Sequence, residues 1–262
     1  TMAKIQHINV VKIGGNVIDN ADALARFIDD FAKLEAPKIL IHGGGKLATR
    51  LSEKLEIPTQ MIEGRRVTDR QTLDVVTMVY AGLINKQVVA GLQAVGCNAI
   101  GLSGADANVV PAVRRSPVPI DFGFVGDIDA TKINSDFIAT LLEAGVAPVF
   151  CAITHDGEGS LLNSNADSVA SAVAVAAARI APTDMHFCFE KLGVLRDVDD
   201  ADSLIEEIRP ETYRELREQG VVNKGMIPKI DNAFRAVEAG VQSVTIKHSD
   251  NLLSNKGTVI KL

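Results

Sequence analysis

Two aliphatic runs in this chain end the same way, in consecutive glycines. Ile8-Asn9-Val10-Val11-Lys12-Ile13 is followed by Gly14-Gly15-Asn16, and Lys38-Ile39-Leu40-Ile41-His42 by Gly43-Gly44-Gly45-Lys46. Short apolar runs rich in β-branched residues and bounded by glycine read as buried strands. Each is followed by a helical pattern, so the glycines fall where a strand hands over to a helix. An open α/β sheet binds its ligands at that edge. There, backbone N–H groups and a helix N-terminus together attract an anion. A Gly-Gly pair also serves as a plain turn, but three glycines in a row lose much backbone entropy on ordering and so suggest a close approach to a ligand. Neither turn is a Walker A loop or a G-x-G-x-x-G dinucleotide fingerprint.

Strand and helix signals alternate along the rest of the chain. Strands are expected near 5–13, 38–42, 97–102, 146–153, 184–190, 242–247 and 257–261. Helices are expected near 21–34, 44–56, 70–94, 131–144, 201–207, 210–219 and 227–239, and the small-residue stretch Ala166 to Ile180 reads as a helix buried against the sheet. Segment 59–68 reads as an irregular or hairpin excursion, and 107–128, broken by Pro111, Pro117 and Pro119, as an edge excursion. Asp156-Gly157 marks a hairpin turn. Strands separated by helices imply parallel pairing through right-handed crossovers. The expected class is therefore α/β around a mainly parallel sheet. A boundary at Pro182 divides it into lobes 1–180 and 181–262 with a cleft between them.

Composition narrows the function. Aromatics are 4% with no tryptophan, and the net charge is −6 with no basic block, which argues against nucleic acid as a partner. No run of 18 apolar residues occurs and no signal-peptide core opens the chain, so no membrane partner is expected. Cys97, Cys151 and Cys188 are widely spaced with no C-x-x-C, reading as reduced core thiols of a cytoplasmic protein. The histidines lack zinc-ligand spacing, and no metal site is expected in the protein itself.

Several polar residues conflict with their local pattern, and such conflicts mark candidate sites. Lys12 ends an aliphatic run, where it is either solvated at the sheet edge or paired with an anion. Lys229 follows Pro228 at a helix start, where the helix dipole disfavours a cation unless an anion sits in front of it. Asp167 lies in the first turn of the helix capped by Asn165, a position that suits an acid with no further role; it equally suits a carboxylate holding two lysines. Arg66 is either a solvated loop residue or a fork for a substrate carboxylate. No Ser-His-Asp set or acid pair can be assembled. Cations, backbone amides and one acid stabilise negative charge by positioning, as phosphoryl transfer requires.

In order along the chain, Lys12-Ile-Gly-Gly, His42-Gly-Gly-Gly, Gly64-Arg-Arg-Val-Thr68, Asn163-Ser-Asn-Ala-Asp167 and Gly225-Met-Ile-Pro-Lys229 resemble the markers of the amino acid kinase family. The likeness is to its branch that phosphorylates the side-chain carboxylate of an N-acylated glutamate in arginine biosynthesis. The resemblance implies a three-layer sandwich with an acyl-amino-acid lobe carrying a dimer interface and a nucleotide lobe. It implies that Lys12 and Lys229 flank the phosphoryl group and that Asp167 holds both. Gly44 and Gly45 would lend amides near the acceptor, while Arg66 and Asn163 grip the N-acyl-glutamate. ATP, with Mg2+ held by its phosphates, would contact Gly14, Gly15, Glu190, Lys191, Gly193, Leu195, Val221 and Asn223. The chain departs from the family in that lobe. Phe189-Glu190-Lys191-Leu192-Gly193 replaces a Ser/Thr-Asp-x-x-Gly turn, and Asn223-Lys224-Gly225-Met226 replaces Thr/Ser-Asp-Gly-Met. Lys191 and Lys224 would then pair with phosphates in compensation. Lys12 near the start suggests the shorter, arginine-insensitive, homodimeric type. N-acetyl and N-succinyl substrates both remain open, as does a non-catalytic sensor with the same fold.

Overall fold

Both glycine-terminated runs become neighbouring strands at the centre of one eight-stranded sheet. The structure, a computed structural model, describes residues 5–35, 37–62, 65–222 and 226–262, with only the backbone described at Gly45 and Pro228. The sheet strands are β1 (Ile8–Ile13), β2 (Lys38–His42), β3 (Ala99–Leu102), β4 (Ala147–Cys151), β5 (Thr183–Phe189), β6 (Glu207–Ile208), β7 (Ser243–His248) and β8 (Thr258–Ile260). Their order across the sheet is β6-β8-β7-β5-β1-β2-β4-β3. The helices are α1 (Gly15–Ile18), α2 (Ala21–Lys33), α3 (Gly45–Lys54), α4 (Arg70–Ala94), α5 (Ser135–Glu143), α6 (Ala166–Ala178), α7 (Pro210–Glu218) and α8 (Ile227–Glu238).

Strands β1, β2, β3, β4, β5 and β7 run parallel, with Ile8 level with Thr183 and Asn9 level with Lys38. Their carboxyl ends therefore gather along one edge. The sheet is continuous across Pro182, because β1 from the first half pairs directly with β5 from the second. Residues Ile8, Val10, Val11, Ile13, Ile39, Leu40 and Ile41 are fully buried, as befits strands covered on both faces. Helix α6 packs on β1 and β5 from one face, and α2 packs with α4 on the other. Ala170, Ala174, Ala176 and Ala177 are fully buried, their small side chains bringing α6 close to the sheet. Helix α4 is long and apolar, with a mean hydropathy of 1.4, but packs beside α2 and β3. Its middle turns, Thr77–Ile84, are a π-helix, the form in which i→i+5 bonds widen the turn.

Three expectations need correction. Segment 201–207 is not a helix but a 3-10 turn, Ala201–Ser203, followed by β6. Arg196 N–H donates to Ser203 O and Ile205 N–H to Val194 O, and this pairing draws the segment out of helical geometry. The last strand, β8, lies antiparallel to β7 within this mainly parallel sheet, as two strands joined by a 3-10 turn and a bend without a crossover helix can. The strand expected at 146–153 divides at Ala152, whose carbonyl accepts from Ser164 N–H as the chain turns into the hairpin Ile153–His155/Leu161–Asn163. Helix 131–144 begins only at Ser135, where the Asn134 side chain caps the Phe137 N–H. The hairpin after Ile153 turns at Asp156-Gly157, but across a wider loop closed by Asp156 N–H on Ser160 O.

Candidate active site

Lys12, Asp167 and Lys229 come from three distant parts of the chain and meet at the carboxyl edge of the sheet. Lys12 is held between fully buried Val11 and Ile13, so the strand fixes its direction. Asn165 accepts the Ser168 N–H as N-cap of α6, which sets Asp167 in the first turn facing β1. Lys229 stands in the first turn of α8. Its ammonium is 3.0 Å from Asp167 Oδ2, and that of Lys12 is 2.8 Å from Oδ1. Burial alone would raise the Asp167 carboxyl, but the two ammonium groups outweigh it and hold it well below the usual carboxylate range. Burial lowers Lys229, with repulsion from Lys12 adding to it while Asp167 and Glu190 oppose. The Lys229 ammonium also lies 4.7 Å from the Phe187 ring centre and 5.7 Å from that of Phe189. Two cations on one anion leave the group one positive charge in excess, at a site with little solvent to screen it.

The glycine turns differ in what they offer. Gly14 N–H is taken by Cys188 O at 2.9 Å, so this residue serves the strand-to-helix handover. Gly15 faces the cleft, with nothing within 4 Å of where a Cβ would stand. Gly44 has φ +149° and N-caps α3, and a Cβ there would stand 2.2 Å from Ile84 Cδ1. Gly45 opens α3, so its N–H has no acceptor within the helix.

Beside these turns lies a cleft of about 230 Å3 lined by Lys12, Gly15, Gly43, Gly44, Arg66 and Asn163 among others. Arg66 is no solvated loop residue. It sits in the hairpin Met61–Ile62/Arg65–Arg66, buried, and donates to Thr49 Oγ1 at 2.9 Å. Asn163 donates to Thr68 Oγ1 at 3.0 Å, and Thr68 Oγ1 donates in turn to Arg66 O. Sequence reasoning passed over Tyr80, Ser164 and Val125 and gave Arg65 no role, yet all line the same cleft. Tyr80 carried no signal, because it falls in the π segment of an otherwise regular apolar helix. Burial pushes its hydroxyl up and the neighbouring Arg66 pulls it down.

Of the residues expected to hold a nucleotide, Gly15 lines that cleft, whereas Gly14, Glu190, Lys191, Gly193, Leu195 and Val221 do not. Glu190 and Lys191 are exposed where β5 ends. Gly193, at φ +155°, is packed: a Cβ would stand 2.6 Å from Thr258 Oγ1 and 2.8 Å from Leu204 Cδ1. Leu195 bridges to Leu204, and Val221 N–H donates to Leu216 O. Asn223, with Lys224 and Gly225, and Gly64 of the arginine motif lie outside the described residues.

A profile of the amino acid kinase family matches residues 7–248. The chain is 52% identical to the acetylglutamate kinase of Cytophaga hutchinsonii over 251 residues, covering 95% of this chain and 94% of that one. It is 48% identical to that of Phocaeicola vulgatus, covering 98% and 99%, and 40% identical to that of Methanopyrus kandleri, covering 97% and 100%. Among solved structures it is similar to smu.665 from Streptococcus mutans, with TM-score 0.80, 32% identity and 97% and 98% of the two chains covered. The carbamate kinase of Giardia lamblia bound to AMP-PNP shares the fold, at TM-score 0.68 and 15% identity over 99% of each chain. The chain belongs to the amino acid kinase family.

Proposed function

We propose that this protein transfers the γ-phosphoryl group of ATP to the side-chain carboxylate of N-acetyl-L-glutamate, giving an acyl phosphate and ADP. The observation that carries this reading is Asp167 clamped between Lys12 and Lys229 at the mouth of a cleft with buried Arg66 and Asn163. The 52% identity to an acetylglutamate kinase along nearly the full chain supports the acceptor. Arg66 and Asn163 grip the acceptor's own carboxylate and acyl groups, while Gly44 and Gly45 amides face the carboxylate that attacks. Lys12 and Lys229 neutralise charge on the phosphoryl oxygens in flight, and Asp167 keeps the two ammonium groups a fixed distance apart. ATP lies on the 181–262 side, near Glu190 and Lys191, and the acceptor on the 1–180 side. Both Asp167 oxygens are engaged by lysines, so Mg2+ would be held by the nucleotide's phosphates, where it would offset their charge.

The protein works as a homodimer in the cytoplasm. Exposed Met78 and Leu83 on α4 and Ile100 on edge strand β3 support the first, and three buried free cysteines the second. The test is ADP release with ATP, Mg2+ and, in parallel, N-acetyl-, N-succinyl- and free glutamate. Turnover is expected with N-acetyl-L-glutamate. Preference for the succinyl compound would move the substrate, and no turnover with any would favour a non-catalytic sensor.

A further inference from the structure

His42 ends β2 directly before the glycine turn and is fully buried. Its Nδ1 lies 2.9 Å from Gly43 O and its Nε2 3.0 Å from Asn85 Nδ2. Neighbours settle which nitrogen bears the proton. Lys86, which can only donate, lies 3.0 Å from Asn85 Oδ1 and 3.1 Å from Gly101 O. On its other side Asn85 donates to Val149 O, which can only accept, at 3.0 Å. The amide is thereby fixed with its NH2 group toward His42. His42 Nε2 must accept, and Nδ1 must carry the hydrogen given to Gly43 O. Gly101 makes room for this, since a Cβ there would stand 1.9 Å from Asn85 Oδ1.

The consequence falls on the next peptide. The Gly43–Gly44 bond is trans, so Gly44 N–H points opposite to Gly43 C=O. With the carbonyl tied to the buried ring, the N–H is turned the other way, on a residue that lines the cleft. Glycine backbone has no such preference of its own. We propose that His42 and Asn85 are positioning residues, a buried relay from Lys86 that locks the Gly43–Gly44 peptide with its N–H aimed at the acceptor carboxylate. This rests on the kinase reading given above. Burial, with lesser repulsion from Lys86 and Lys12, holds the ring neutral with a pKa of about 4, so the relay keeps one tautomer throughout the physiological range.

The test separates the two ring nitrogens. An asparagine at position 42 presents its NH2 group where Nδ1 stands, whereas a glutamine reaches where Nε2 stands. His42→Leu is expected to lower kcat roughly 10-fold to 100-fold with a much smaller change in either KM, as misplacement of a donor does. His42→Asn should recover most of that loss and His42→Gln should not, each rate taken per folded molecule. Recovery by Gln and not by Asn, or a His42→Leu enzyme with unchanged kcat, would overturn the proposal, leaving His42 a core residue that satisfies Asn85. Independently of any activity, long-range 1H–15N spectra of the unsubstituted protein should show the His42 proton on Nδ1. A proton on Nε2 would also overturn it. Failure of the unsubstituted enzyme to release ADP would instead count against the kinase reading.

Discussion

Arg66 and Glu190 both follow from the same sequence likeness, yet the molecule treats them in opposite ways. Arg66 is buried, its guanidinium held by Thr49, and Asn163 is tied through Thr68 to the same hairpin. Glu190 and Lys191 stand exposed at the end of β5, with Gly193 packed behind them against Thr258. On the proposed function, the acceptor side is thus organised before substrate arrives, whereas the side assigned to the nucleotide presents an open strand end. A pre-organised site loses rate when a member is moved. An open site loses affinity for the part of the ligand it touches. The two sides should therefore fail differently under substitution.

The largest effects are expected where the sides meet. Lys12→Ala and Lys229→Ala should each lower kcat by roughly 10²–10³ with little change in the acceptor KM, the scale of losing one pre-organised charge donor. Steady-state kinetics with both substrates varied checks this, and a Lys12→Ala enzyme with near-normal kcat would remove Lys12 from the transfer site. Next in size is Arg66→Lys. A point-like ammonium cannot replace the guanidinium fork between Thr49 and the cleft, so the acceptor KM should rise at least about tenfold while the ATP KM holds. Arg65→Lys should do less, although Arg65 also lines the cleft. Equal effects at both positions would mean a diffuse positive patch. Lys191→Ala should reverse the pattern, raising the ATP KM and sparing the acceptor KM.

Two smaller effects concern stability. Gly193→Ala should cost about 1–3 kcal/mol, because its Cβ would press on Thr258 Oγ1, which accepts from Val194 N–H and donates to Ile205 O. Urea unfolding measures it, and a change in ATP KM at unaltered stability would make Gly193 a nucleotide contact instead. Burial holds His42 and His186 near pKa 4 in the fold against about 6.5 unfolded. A depressed folded pKa in a base means the unfolded chain binds the proton first. Stability should thus be full above about pH 6.5 and fall as pH drops toward 4, on the order of 2 kcal/mol per histidine by pH 5. His42→Asn should flatten part of that slope. Asp167 acts in a lower window: its contribution is present above the unfolded value near 3.9 and fades as pH falls below it.

The same contrast governs what the sequence discloses. Lys12 and the glycines stand out because each contradicts its own strand, and Asn165 because a cap is a local event. Asp167 is ambiguous until β1 and α8 are brought beside α6, since an acid in a first turn needs no other reason. Arg66 reads as a loop residue because Thr49, its closer hydroxyl partner, lies on α3, and Thr59 in the loop ahead of the hairpin. The π turn that carries Tyr80 and Ile84 leaves no mark in an unbroken apolar pattern. Segment 201–207 misleads for the same reason, its hydrogen bonds going to residues near Val194 and not to its own helix.

In the proposed function, Asp167 is the group that holds two lysines across the transfer site. Its most direct test is kcat of Asp167→Asn, measured on protein whose folded fraction is fixed by calorimetry and circular dichroism. The expected result is a folded protein that has lost most of its turnover, because Lys12 and Lys229 then repel each other where the phosphoryl group must pass. An Asp167→Asn protein that unfolds readily while its folded fraction keeps normal kcat would contradict it, leaving Asp167 only the acid at the start of a helix.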